Sequence, residues 1–133
     1  MSARRFTVGE VNRLIPRLEM LMERLQRTAR ELRDAVSHVE NDHVRTTADA
    51  VREHPELRPH VETMERVLGE IEELGGQFKG LDLGLVDFLG EVDGRAVLLC
   101  WQYGEKSIGF WHAIDEGFSG RRALGSAPSP QLQ

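Results

Sequence analysis

The chain has a single cysteine, Cys100. An internal disulfide is therefore impossible, and a reducing compartment, the cytoplasm, is the expected location. No apolar run approaches the length that spans a bilayer. Met1-Ser2-Ala3-Arg4-Arg5-Phe6 leads into no apolar stretch, which argues against a signal peptide. HExxH, paired CxxC and phosphate-loop motifs are all missing, and Ser107 lacks a nucleophile elbow. The net charge of -5 disfavours a nucleic-acid surface. Arg13, Arg17, Arg24, Arg27, Arg30 and Arg33 alternate with glutamates and have no aromatics among them, so they read as a solvated face rather than a binding stripe. Neither a nucleic acid nor a membrane is an expected partner.

A long helical pattern is present instead. Thr7 and Glu10 form a capping box, and Phe6 and Val11 occupy the staple positions around it. Val11, Leu18, Leu25, Leu32 and Val39 recur every seven residues, with Ile15, Met22, Ala29 and Val36 between them. That 4-3-4-3 spacing is a coiled-coil seam. Pro16 is expected to kink it. Leu14 and Leu21 widen the stripe in its first half, which predicts contact with a sheet there and with helix alone further on.

A second seam follows through Leu57, Val61, Met64, Leu68 and Ile71, extended by Gly75 and Phe78 and widened by Val67 and Leu74. Residues 1–40 carry eight basic and six acidic groups, and residues 41–80 five and nine, so the two segments are electrostatically suited to pair. The intervening stretch from Asn41 to His60 is polar. Val44, Ala48 and Val51 suggest a short helix in it, and Pro55 and Pro59 are expected to break the chain. Gly75-Gly76 and Gly80 should end the second helix.

The last third reads as strands. Asp93-Gly94 suits a type I′ hairpin turn and Gly104-Glu105 a type II′ turn. Taken literally, these turns pair Val92 with Arg95 and Tyr103 with Lys106. One face then collects Val86, Phe88, Val97, Leu99, Trp101, Ile108, Phe110 and His112, an apolar set suited to packing on helices. The other face holds Asp87, Leu89, Leu98, Cys100, Gln102, Ser107, Gly109 and Trp111. The expected architecture is α+β: a long antiparallel, coiled-coil-like helical hairpin (about 7–79) on a three-stranded antiparallel β-meander (about 84–114). Residues 1–122 would form a single domain, and 123–133 a disordered tail.

Phe6-Thr7 with Glu10, Leu14-Ile15-Pro16, Gly84-Leu85-Val86-Asp87-Phe88, Leu99-Cys100-Trp101 with Gly104-Glu105, Trp111-His112, Gly117-Phe118 and Gly120-Arg121 resemble a bacterial and archaeal family, family 2203 of the domains of unknown function. The resemblance runs from about Phe6 to Arg122. It departs at Leu89, where proline would follow Asp-Phe. It implies a fold and a place to look, with no reaction attached.

Asp87, Cys100, Glu105, Trp111, His112 and Arg121 are the candidate ligand-binding residues. Asp87, Cys100, Glu105, His112 and Asp115 are metal-ligand types. The register above separates Cys100 and His112 onto opposite faces, so no metal site assembles from it. Asp34, His38 and Asp42 share a helix face, a spacing common on solvated helices. Cys100, mid-strand, reads as structural, and Asp87 opposite would raise its pKa. His112 is expected to hydrogen-bond a helix end or Glu10. Arg121 would brace the sheet against the second helix or hold an anion. Two functions follow. One is a non-enzymatic module that homo-oligomerises or holds a protein partner. The other is a metal- or small-ligand-dependent enzyme using Asp87, Glu105, His112 and Arg121.

Overall fold

The computed structural model describes residues 4–39 and 46–125. Helix α1 spans Val8–Val39, α2 Thr47–Glu53 and α3 Arg58–Glu73, with a 3-10 turn at Pro55–Leu57. Strands follow at Gln77–Gly80 (β1), Leu85–Val92 (β2), Arg95–Gln102 (β3), Phe110–His112 (β4) and Arg122–Ala123 (β5). They form one antiparallel sheet in the order β1-β2-β3-β4-β5.

The helix start forms as its residues dictate. The Glu10 amide donates to Thr7 Oγ1 at 3.0 Å, and the Thr7 amide donates to Glu10 Oε1 at 2.8 Å. That backbone bond, ahead of the neighbouring Arg4, holds the Glu10 carboxyl below its usual pKa. α1 runs as continuous helix through Pro16. Leu18, Met22 and Leu25 pack with Val67 and Ile71 of α3 and with Val86, Phe88 and Trp101 of the sheet in one buried cluster. Farther along α1, Leu32, Val36 and Val39 meet Ala50, Leu57, Val61 and Met64. The wide half of the stripe thus faces sheet and helix together, and the narrow half faces helices alone. Arg17 pairs with Glu70 across α1 and α3.

The short helix expected between the seams is present as α2, with Ala50 buried. Two other expectations for the helices change. Pro59 does not break the chain: it lies in the first turn of α3, where a missing N–H costs nothing. The segment after Gly75 is not helix. Gly75 takes φ +100, the helix ends, and Gln77–Gly80 joins the sheet as β1.

The sheet has five strands rather than three. The first hairpin is as expected, with Val92 opposite Arg95, Phe88 opposite Leu99, Val86 opposite Trp101 and Asp87 opposite Cys100. Asp93 and Gly94 both take positive φ, at 51° and 81°, as a type I′ turn requires.

The second hairpin is not as expected. Cys100 pairs with Phe110, Leu99 with Trp111 and Leu98 with His112, one residue away from the anticipated register. Tyr103 does not pair with Lys106 as a tight turn would need. Instead the Tyr103 amide bonds Gly84 O at 2.8 Å, the Glu105 side chain takes the Gln102 amide at 2.8 Å, and Asn12 of α1 takes the Ile108 amide at 2.7 Å. Ile108 therefore has no amide to give β3, and β4 begins only at Phe110. A one-residue slip exchanges the faces of a strand. Trp111 joins the buried cluster, while Phe110 and His112 turn to the opposite face, away from Trp101.

The expected disorder from residue 123 does not hold at its start. Ala123 pairs with Phe110 in β5, and Leu124 packs on the core. Residues 126–133 lie outside the described residues, as do Asp42, His43 and Val44.

Candidate metal centre

The corrected register assembles what the expected one kept apart. Asp87 on β2, Cys100 on β3 and His112 on β4 are neighbours on one face of the sheet, and all are buried. One ligand atom from each lies within 4.8 Å of the others. Asp87 Oδ2 is 2.9 Å from His112 Nε2 and 3.1 Å from Lys79 Nζ of β1.

The histidine is oriented by its other nitrogen. His112 Nδ1 lies 2.9 Å from the carbonyl of Ala113. A carbonyl only accepts, so Nδ1 donates to it, and Nε2 is the nitrogen that faces the carboxylate. That contact is a hydrogen bond when Nε2 also carries a proton; without that proton, Nε2 presents a lone pair open to a cation. Asp87 Oδ1 is a further buried acceptor with no hydrogen-bond partner among the described residues. An imidazole held through N–H to a backbone carbonyl is the usual arrangement behind a metal-bound histidine.

The thiol is held from the opposite side. Arg121 Nε donates to Cys100 Sγ at 3.3 Å, and its Nη2 reaches Cys100 O at 3.3 Å and both oxygens of Glu105 at 2.8 Å. The guanidinium lies 4.1 Å from the Phe110 ring centre and 4.9 Å from that of Phe118. Burial pushes the Cys100 thiol up to about 11; the bond from Arg121 opposes this and the charge of Asp87 adds to it. Burial also disfavours the Arg121 charge, but its bonds to Cys100 and Glu105 outweigh that and raise its pKa. Gly117 and Phe118 fold over the site, leaving a cavity of about 180 Å³ beside the three residues, with Lys79 and Leu85 on its wall.

Of the anticipated site residues, Asp87, Cys100 and His112 come together, with Glu105 and Arg121 in contact behind the thiol. Trp111 does not belong to this group; it lies on the other face. His112 bonds Asp87 and Ala113 rather than a helix end or Glu10, and Arg121 pairs with Glu105 rather than bracing α3. Asp115 is exposed. On α1, His38 Nδ1 bonds the Asp34 carbonyl, and Asp42 lies outside the described residues. Lys79 was not anticipated, because its segment reads as a helix end; the alternation of Gln77, Phe78 and Lys79 after the glycine pair is the signal that would have found it.

An α+β protein with a buried carboxylate, imidazole and thiol on its sheet is the class these features define. A family model described as an uncharacterized conserved protein, DUF2203, matches residues 4–124, and the chain belongs to that family. No curated protein and no solved structure matches the chain. No helix among the described residues is long and apolar enough to cross a membrane.

Proposed function

We propose that this is a metal-binding protein whose Asp87, Cys100 and His112 hold one transition-metal ion of the zinc type. The observation that carries the reading is the clustering of three ligand types on one buried face, with the His112 Nδ1–H committed to Ala113 O and Nε2 turned toward Asp87. Carboxylate, imidazole and thiolate form a donor set that zinc accepts. Ligand atoms around tetrahedral zinc stand about 3.5 Å apart. Binding therefore needs the 2.9 Å contact of Asp87 and His112 to open slightly and Cys100, within 4.8 Å of both, to close in by side-chain rotation. Binding would displace the thiol proton, replacing the cost of a buried thiolate with a metal–sulfur bond. Arg121 donates to that sulfur and Glu105 fixes Arg121, so both act from behind the ligands. The cavity beside Lys79 leaves a fourth position for water or a small ligand, the pattern of reactive rather than purely structural zinc sites.

Elemental analysis of the purified protein tests this, together with zinc titration of the metal-stripped form. One equivalent per chain is expected, with weaker binding and loss of the stoichiometric metal in Asp87→Ala and His112→Ala. Protein that neither carries nor takes up metal defeats the reading.

A second reading is a non-enzymatic module that self-associates or holds a protein partner. The 4-3-4-3 seams favour α1 and α3 as an antiparallel, coiled-coil-like hairpin packed within the chain. The second reading is supported by exposed Met20 and Tyr103, at 62% and 37%, which line one groove with Pro16. Sedimentation at micromolar concentration separates the two: a strict monomer removes self-association.

A further inference from the structure

Two hollows line one flank of α1, and their charges are opposite in sign. The first, of about 400 Å³, lies between the N-terminal half of α1 and the β3–β4 turn, with Glu19, Glu23 and Lys106 on its wall. The second, of about 170 Å³, lies farther along α1 against the β1–β2 turn, with Arg30, Arg33 and Asp82 on its wall. Two acids and one base face the first; two bases and one acid face the second. Lys106 Nζ pairs with Glu19 at 3.0 Å. Glu23, Arg30 and Arg33 are exposed and make no ion pair among the described residues. After each hollow is balanced internally, one negative charge is left over in the first and one positive charge in the second.

The arrangement along the helix is regular. Glu19, Glu23, Gln26, Arg30 and Arg33 follow one another at 4-3-4-3 spacing and so share one face of α1. The acids hold one end of this stripe, the arginines the other, and Gln26 the middle. Glu23 and Arg30 stand about 10 Å apart along the axis, too far to pair within one helix. Apolar side chains lie beside the stripe. Met20 and Tyr103 line the first hollow, and Leu83 is exposed in the β1–β2 turn. The Tyr103 amide bonds Gly84 O at 2.8 Å and Gln26 Nε2 donates to Leu81 O at 2.9 Å, which holds both turns against α1. Met20, Leu83 and Tyr103 are three of the five large apolar side chains exposed among the described residues, so exposed apolar surface is concentrated on this flank, as at an interface.

We infer that a second copy of the chain docks on this flank, its α1 antiparallel to the first across a two-fold axis near Gln26. Such an axis makes every contact twice: Glu23 of each copy meets Arg30 of the other. Glu19 and Arg33 are related in the same way, and each hollow faces the oppositely charged hollow of the other copy. Met20, Leu83 and Tyr103 are covered between them. A parallel arrangement would set Glu23 against Glu23 and Arg30 against Arg30, so charge selects the antiparallel one. The inference rests on the self-association reading above and gives it a surface; it does not involve the metal residues.

Sedimentation velocity of the full chain over a micromolar concentration series tests this, with Glu23→Arg and Arg30→Glu as the variants. Both changes are at exposed sites, and circular dichroism should show the same helix content as wild type. Wild type should dimerise, and more weakly at high salt. Each single charge reversal should weaken dimerisation at least about tenfold, because it sets like charges together twice in every dimer. An equimolar mixture of the two variants should dimerise again, because every facing pair is then of opposite sign. A wild type that stays monomeric at every concentration defeats both the self-association reading and this inference, and leaves the flank to a different protein. A dimer that neither reversal weakens, or two weakened variants that do not associate when mixed, overturns the inference alone and places the contact on another surface.

Discussion

Replacing Asn12 by alanine tests how α1 sets the position of β4. Asn12 Oδ1 accepts the Ile108 amide at 2.7 Å, and Ile108 is 6% exposed. Removing the acceptor leaves a buried N–H unmet, which costs about 1–3 kcal/mol. Alanine returns about 0.5 kcal/mol through its better helix propensity. A net loss of about 1.5 kcal/mol is expected, or about 5 °C in Tm for a chain of this size. Urea denaturation followed by tryptophan fluorescence measures it. Asn12→Asp keeps an acceptor in place and should retain most of the stability. If Asn12→Ala matches wild type within about 0.3 kcal/mol, or if Asn12→Asp falls as far as alanine, the side chain does not anchor the strand.

Three further outcomes follow from the same geometry. Gly75→Ala puts a Cβ 2.3 Å from Phe6 Cζ at a residue with φ +100; left-handed strain and overpacking together should cost about 3 kcal/mol in a denaturation experiment. Cys100, with its pKa raised to about 11, should be alkylated in the metal-free folded protein at pH 8 far more slowly than in urea-unfolded chain. Because folding raises this pKa from 9.0, the folded state keeps a proton that the unfolded chain loses first. Its contribution to stability is whole below about pH 9 and falls away as pH rises toward 11, a decline that Cys100→Ala should lack in pH-dependent unfolding.

The helices and the first hairpin were legible because local signals set them. The capping box at Thr7 and Glu10, the heptad seam of α1 and the Asp93-Gly94 turn each fix geometry within a few residues. Long-range contacts decided the rest. Nothing near Gly104 announces that Asn12, far back in α1, will claim the Ile108 amide. The apolar pattern of Ile108, Phe110 and Trp111 fits either register, so only that tertiary bond and the Glu105 loop settle which face each residue takes. The candidate site was hidden by the same ambiguity. Its residues were picked out by type and neighbourhood, but their assembly depended on the slip that carried His112 across to Asp87 and Cys100. β1 was obscured because Gly75 lies in phase with the α3 seam and so reads as its extension.

Cobalt substitution probes the metal centre through the ligands themselves. Metal-stripped protein titrated with Co²⁺ should develop a thiolate-to-cobalt charge-transfer band that saturates at one equivalent. Cys100→Ser should abolish that band, and His112→Gln should weaken binding. A spectrum of hexaaqua cobalt throughout, or a charge-transfer band that survives in Cys100→Ser, would contradict a metal ion bound by Asp87, Cys100 and His112.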